Sequence, residues 1–319
     1  MIAESKTLGN GFQSAVDWAK RDPIGVALLF TIAATLAYFL GFDRLFNNAS
    51  VSTLVWAWQA WTPETNYEHA RLIPLIVAFL VWYDRKKIQD APVSSSPWGW
   101  LFIGFGLFLF FAGARTLQAR LSLTALPFLI FGTVLYVWGK PVARVLLFPI
   151  AFLLFMVPLN FLTQATAKLQ LIETGVATAI CNVIGIHVQS VGTVVQAADN
   201  AFKFEVDEGC SGIRSLMAIA MISAIYGHFT QDRLWKKLAL FAGSIVFAIV
   251  GNAGRLVSIF AMGRFFGQDL AGGPYHIISG YLSFPFAIAA MVLFGKLLNV
   301  KPAQLKQLAV EKEKVSYDY

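Results

Sequence analysis

About eight apolar runs divide the chain, at roughly 24–42, 70–83, 98–114, 121–138, 145–162, 212–228, 238–254 and 276–295. Each approaches the roughly 20 residues a helix needs to cross a hydrocarbon layer about 30 Å thick. In hydrocarbon every backbone polar group must be paired within the protein, so such runs fold as complete helices. The shorter ones are accommodated by tilt, by snorkelling Arg and by interfacial Trp. Composition decides against packing these runs into the core of a water-soluble globule. Of the 319 residues only 13% are charged, against about 25% in an ordinary soluble chain. Too little polar surface remains to solvate the outside, and the mean hydropathy of +0.63 says the same. Disorder is excluded by 28 Phe, 9 Trp and 9 Tyr, which supply ample surface for burial. The expectation is an all-α, polytopic integral membrane protein with about eight transmembrane helices.

The net charge of +7 invites a nucleic-acid reading. It fails because the basic residues sit in short clusters between apolar runs, without a basic helix or stripe. Two cysteines, Cys181 and Cys210, cannot build a disulfide framework or a four-ligand zinc site. The four histidines, His69, His187, His228 and His276, show no metal-ligand spacing. The phosphate-cradling pattern GxxxxGK[ST] is absent, and no GxGxxG follows a predicted strand. No metal and no cofactor is therefore expected. The first long apolar run lacks the features of a cleavable leader and reads as an anchor.

Basic residues orient the chain by the positive-inside rule. With Lys20 and Arg21 in the cytoplasm and eight spans threaded, Lys6, Arg85, Lys86, Lys87, Lys140, Arg144, Arg233, Lys236 and Lys237 fall on the same side. So do the five lysines from Lys296 onward, which brings 16 of the 25 Lys and Arg residues there. Residues 165–186 are apolar but interrupted by Lys168, Gln170 and Glu173. Counting them as a ninth span would put the later basic clusters outside, so they are read as an amphipathic helix at the outer face. In 187–209, β-branched residues, the Asp199-Asn200 turn and the alternation Phe202, Phe204, Val206 predict a short extracytoplasmic hairpin. The organisation expected is a cytoplasmic segment over 1–22, a single multi-spanning domain over 23–300 and a cytoplasmic tail over 301–319.

On this threading three reactive residue types share the outer face. Cys210 opens the sixth span, Arg255 ends the seventh and His276 begins the eighth. A thiol attacks as thiolate, and a helix N-terminus or nearby cation such as Arg214 favours that form. Asp207 and Glu208 act in the opposite sense unless one caps the helix. Gly212 allows close backbone approach. His276 suits a base toward the thiol and later an acid toward a leaving amine, or else a substrate contact. Arg255, permanently charged, suits an oxyanion or a substrate carboxylate. Bland readings stand beside these. Cys181 reads as a small hydrophobe, and a Cys181–Cys210 disulfide is the alternative in an oxidising compartment. Arg115, Arg120 and Arg264 read as snorkelling side chains.

At these residues the sequence resembles the exosortase/archaeosortase family of membrane cysteine transpeptidases. The family motifs Cys-Ser-Gly, Asn-x-x-Arg and a later His match Cys210-Ser211-Gly212, Asn252-Ala253-Gly254-Arg255 and His276. The stretches YEHARLIPLIVAFLVWYDRK at 67–86 and FPIAFLLFMVPLN at 148–160 also look familial, so the resemblance covers about 67–295. The family's early His-Gly pair is His69-Ala70 here, and Gly209 stands where Ala commonly precedes the Cys. His276 places the likeness with the bacterial branch. The resemblance implies Cys210 as nucleophile, Arg255 as oxyanion or substrate stabiliser and His276 as general acid/base, with Ser211, Gly212, Arg214 and Asn252 in support. It implies substrates anchored in the membrane by a C-terminal signal: a short motif such as Pro-Glu-Pro (PEP-CTERM), a transmembrane helix and a basic cluster. Cleavage through a thioacyl intermediate would pass the protein to an envelope lipid or glycan acceptor. It would take place at the periplasmic face of a bacterial inner membrane, with both termini cytoplasmic. The competing classes are a polytopic transporter using its Arg and His on an anionic substrate, and a non-catalytic component of exopolysaccharide export.

Overall fold

The computed structural model describes residues 11–41, 52–158, 160–206 and 213–299. By its internal contacts the chain divides into two compact units, Met1–Leu159 and Asn160–Tyr319.

The first unit contains α1 (Gly11–Arg21), α2 (Pro23–Gly41), α3 (Thr53–Ala60), α4 (Ile73–Tyr83), α5 (Arg85–Asp90), α6 (Gly99–Thr116), α7 (Ala119–Val137) and α8 (Gly139–Phe152). Its centre is the α6–α7 hairpin, turned at Leu117 in the left-handed conformation. Gly99, Gly106 and Gly113 recur every two turns of α6 and let α7 come close. A Cβ on Gly99 would lie 2.5 Å from the carbonyl of Gly132, and one on Gly113 would lie 2.5 Å from Ser122 Oγ. Small residues at a helix seam replace the hydrophobic drive that lipid cannot supply. Asp22 caps the start of α2 by accepting from Gly25 N–H at 2.8 Å and from the Tyr136 hydroxyl. These bonds hold its carboxyl below the ordinary carboxylate range.

The second unit begins with α9 (Asn160–Val183) and a three-stranded antiparallel sheet, β1 (Val188–Val191), β2 (Val194–Ala197) and β3 (Lys203–Glu205). The register is Val188 to Ala197 and Val195 to Phe204, so where a two-stranded hairpin is expected the chain adds a third strand. Then come α10 (Ile213–Thr230), α11 (Leu234–Phe266), α12 (Gln268–Gly272) and α13 (Pro274–Leu297). The sheet packs on the last turns of α11. Phe202 and Phe204 stack on Phe260 at 6.2 and 6.3 Å between ring centroids. Gly263 makes room, since a Cβ there would lie 2.7 Å from the Phe204 ring.

Two features differ from the sequence-based expectation. The apolar run at 238–254 continues as a helix of 33 residues, so Arg255 lies eleven residues before its end and not at it. A helix that long spans about 50 Å, more than the hydrocarbon layer, and its surplus length carries the sheet. In α9 Lys168 is exposed, but the other polar interruptions point inward. Gln170, Glu173 and Thr174 are buried, whereas Leu171, Ile172, Val176 and Ile180 are exposed. This reverses the pattern of a surface helix in water.

Among the described residues, five helical segments are long and apolar enough to cross a membrane: α6, α7, α8 with its 3₁₀ extension to Met156, α11 and α13. On α13, Ile277, Tyr281 and Phe286 are more than 60% exposed. An apolar surface this extensive is intelligible against lipid and not against water.

Candidate functional site

Helices α11 and α13 run antiparallel with glycine at their contacts, Gly251 facing Ala287 and Gly243 facing Phe294. Near the start of α13 this seam holds two of the candidate residues together. Both Arg255 and His276 are half-buried. The Arg255 guanidinium donates from Nη2 to the His276 carbonyl at 3.2 Å and from Nε to Ser279 Oγ at 3.3 Å. Ser279 in turn donates to the His276 carbonyl at 2.9 Å. A longer contact of 3.5 Å joins Nη2 to His276 Nε2. Gly280 lies under the guanidinium: an added Cβ would sit 3.4 Å from Nη2 and 3.5 Å from Cζ. The Arg side chain is therefore fixed by two hydrogen bonds and one close backbone, and among the described residues the rest of its fork makes no further hydrogen bond. Beside it opens a cavity of about 310 Å³ lined by Gly254, Arg255, Ser258, Tyr275, Ser279 and Leu282, among others.

One turn before Arg255, Asn252 is buried at 4% exposure and donates from Nδ2 to Glu173 Oε2 at 2.6 Å. Glu173, itself 1% exposed, is a site residue the sequence reading counted only as an interruption of an apolar helix. The available signal was its spacing: Glu173, Ala177 and Cys181 recur every four residues and share the buried face of α9.

Helix α10 is antiparallel to α11. Gly227 lies against Leu240, and Ser223 donates to Ser244 at 3.0 Å. The same stagger carried to the first turn of α10 sets Ile213 level with Gly254. Arg214 stands exposed on that turn. Cys210, Ser211 and Gly212 lie outside the described residues. Cys181 is fully buried among Ala177, Val188, Leu256 and Phe260, a position that suits a small hydrophobe. Among the described residues no three His, Cys, Asp or Glu side chains converge as metal ligands.

The arrangement of Arg255 and His276, with Asn252 one turn away, coincides with the family likeness seen in the sequence. A family model described as transmembrane exosortase matches residues 58–295, about three-quarters of the chain. The chain belongs to the transmembrane exosortase family. It is accordingly a multi-pass membrane protein, as its apolar helices require. No curated protein and no solved structure matches it.

Proposed function

We propose that this exosortase is a cysteine transpeptidase. It cleaves membrane-anchored proteins carrying a C-terminal sorting signal and transfers them to an envelope acceptor. The observation that carries the reading is the fixed Arg255–His276 pair at the level where α10 begins. Only Ser211 and Gly212 separate Ile213 from Cys210, a tether of at most about 11 Å. The proposal requires the thiol at position 210 to come within reach of both side chains.

The chemistry follows from the residue types. His276 takes the proton of the Cys210 thiol, and the sulfur attacks the scissile carbonyl carbon. The resulting oxyanion is met by the donors of Arg255 that the protein leaves open. The C–N bond then breaks, the proton passes from His276 to the departing amine, and a thioester remains on Cys210. An acceptor nucleophile attacks that thioester, loses its proton to His276 and releases the thiol. A signal with its basic cluster in the cytoplasm presents its short motif on the opposite face. The charge-based threading puts positions 210, 255 and 276 on that same face, at the periplasmic side of an inner membrane with both chain ends cytoplasmic. Eight spans satisfy that threading.

The test is co-expression with a substrate bearing the tripartite C-terminal signal. Wild type processes it, and Cys210→Ala and Cys210→Ser leave it uncut. Processing in Cys210→Ala at the wild-type rate refutes the transpeptidase reading. Labelling with a membrane-impermeant thiol reagent tests the orientation, since Cys210 should react from outside in intact cells.

A further inference from the structure

Helix α9 puts three polar side chains, Gln170, Glu173 and Thr174, where an ordinary packed helix would place aliphatic ones. We propose that Glu173 is a positioning residue for thiol transfer, holding Asn252 of the Asn-x-x-Arg motif in place through a neutral carboxyl group. The proposal rests on the transpeptidase reading above.

Geometry carries it. Oε2 of Glu173 accepts from Asn252 Nδ2 at 2.6 Å, and Asn252 precedes Arg255 by one helical turn. The other carboxyl oxygen, Oε1, is buried and has no hydrogen-bond partner among the described residues. One turn earlier in α9, the buried Gln170 donates from Nε2 to the carbonyl of Val206 at 3.4 Å. Val206 is the last described residue before the segment bearing Cys210. The same face of α9 thus grips the helix that carries the Arg and the strand end that leads to the Cys.

An ionised carboxylate with a single amide donor in an apolar interior is strongly disfavoured, because desolvation of the charge is not recovered. The neutral acid fits: its carbonyl oxygen accepts from Asn252, and its hydroxyl keeps a donor for a further partner. With the Asn252 amide fixed in this way, the turn that bears Arg255 is fixed too. Misplacement of a reacting group by about 1 Å can cost about 10²-fold in rate, so a residue in this place acts on chemistry more than on capture of substrate. A purely structural role would show instead as reduced stability and accumulation, because Glu173→Met leaves the buried Asn252 amide without the carboxyl acceptor, while the protein that does fold would cleave at the wild-type rate.

The experiment uses the full-length protein in membranes and a substrate with the tripartite signal. It compares wild type, Cys210→Ala, Glu173→Met, Glu173→Gln, Asn252→Ala and the Glu173→Met/Asn252→Ala pair. Glu173→Met fills the volume but offers only a weak thioether acceptor, and should slow single-turnover cleavage by about 10-fold or more with KM unchanged. Glu173→Gln keeps a neutral acceptor for the Asn252 amide and should stay within about 3-fold of wild type. The pair should be no slower than Asn252→Ala alone, because Glu173 acts through Asn252. Wild-type cleavage in Glu173→Met, or a pair much slower than Asn252→Ala, overturns the proposal. Glu173→Gln as slow as Glu173→Met also overturns it, pointing to an ionised Glu173. If Glu173→Met does not accumulate, Glu173→Leu takes its place with the same outcomes. Cys210→Ala separates the two levels of the argument. Its loss of cleavage together with a fast Glu173→Met refutes only the role of Glu173, whereas its retention of cleavage removes the transpeptidase reading and this proposal with it.

Discussion

Replacing Arg255 with Lys keeps the charge and removes the fork, which isolates what the fork does. In the structure one guanidinium serves the His276 carbonyl at 3.2 Å and Ser279 Oγ at 3.3 Å, while lying flat over Gly280. A Lys ammonium is a compact point charge on a flexible stem and cannot hold both acceptors while offering a fixed donor to a third. Each hydrogen bond from a charged group is worth about 1.5–3 kcal/mol. Losing two and recovering roughly one through the ammonium leaves a deficit of about 1.5–3 kcal/mol, or about 10- to 150-fold in rate. On the proposed oxyanion role, Arg255→Ala should cost about 10²–10³-fold. The assay is single-turnover processing of a tripartite-signal substrate in membranes, with protein amount checked by quantitative blotting. Arg255→Lys should fall between wild type and Arg255→Ala. A rate above about a third of wild type, corresponding to less than about 0.7 kcal/mol, would refute the claim that a fixed fork is used.

Two further outcomes follow from the same structure. Gly280→Ala should process substrate within about 3-fold of wild type, because the added Cβ meets the guanidinium at ordinary contact distance. Gly280→Val drives branched carbons into it and should lose at least about 10-fold by displacing the reacting group; equal rates in both variants would show that Gly280 does not support the Arg. His69 in the first unit bears on pH. Burial holds its imidazole below the ordinary value, and its Nε2 is buried without a hydrogen-bond partner among the described residues. A histidine protonated more readily when unfolded destabilises the fold as pH falls below about 6.5. Thermal unfolding in mild detergent should therefore shift downward from pH 7.5 to pH 5.5, and His69→Phe should reduce that shift. A pH dependence unchanged by His69→Phe would contradict the assignment.

Much of the architecture is legible in the apolar runs, since lipid forces helices to be complete and leaves no choice of element. The runs at 98–114 and 121–138 correspond to α6 and α7 within a few residues. Helix ends were less readable. Gly251-Asn252-Ala253-Gly254-Arg255 looks like a terminus because glycine and a charge usually punctuate a span, yet α11 continues to Phe266. Small residues there serve close packing against α13, with Gly251 facing Ala287, and the charge is turned onto that same neighbour. Arg255 and His276 were recoverable from residue type and order along the chain. Glu173 was recoverable only as far as its face, since the four-residue spacing to Ala177 and Cys181 puts it on one side of α9, while its partner Asn252 is known from the fold alone. Such pairing over a separation of 79 residues leaves no local trace.

The central claim is that Cys210 carries the substrate as a thioester beside Arg255 and His276. Its most direct test is acid quenching of wild-type membranes during the first turnover, then peptide mapping by mass spectrometry. The account predicts the N-terminal part of the cleaved substrate on the peptide containing Cys210, released by hydroxylamine and absent from Cys210→Ala. Full cleavage by Cys210→Ala, with no acyl adduct on Cys210 in wild type, would contradict it.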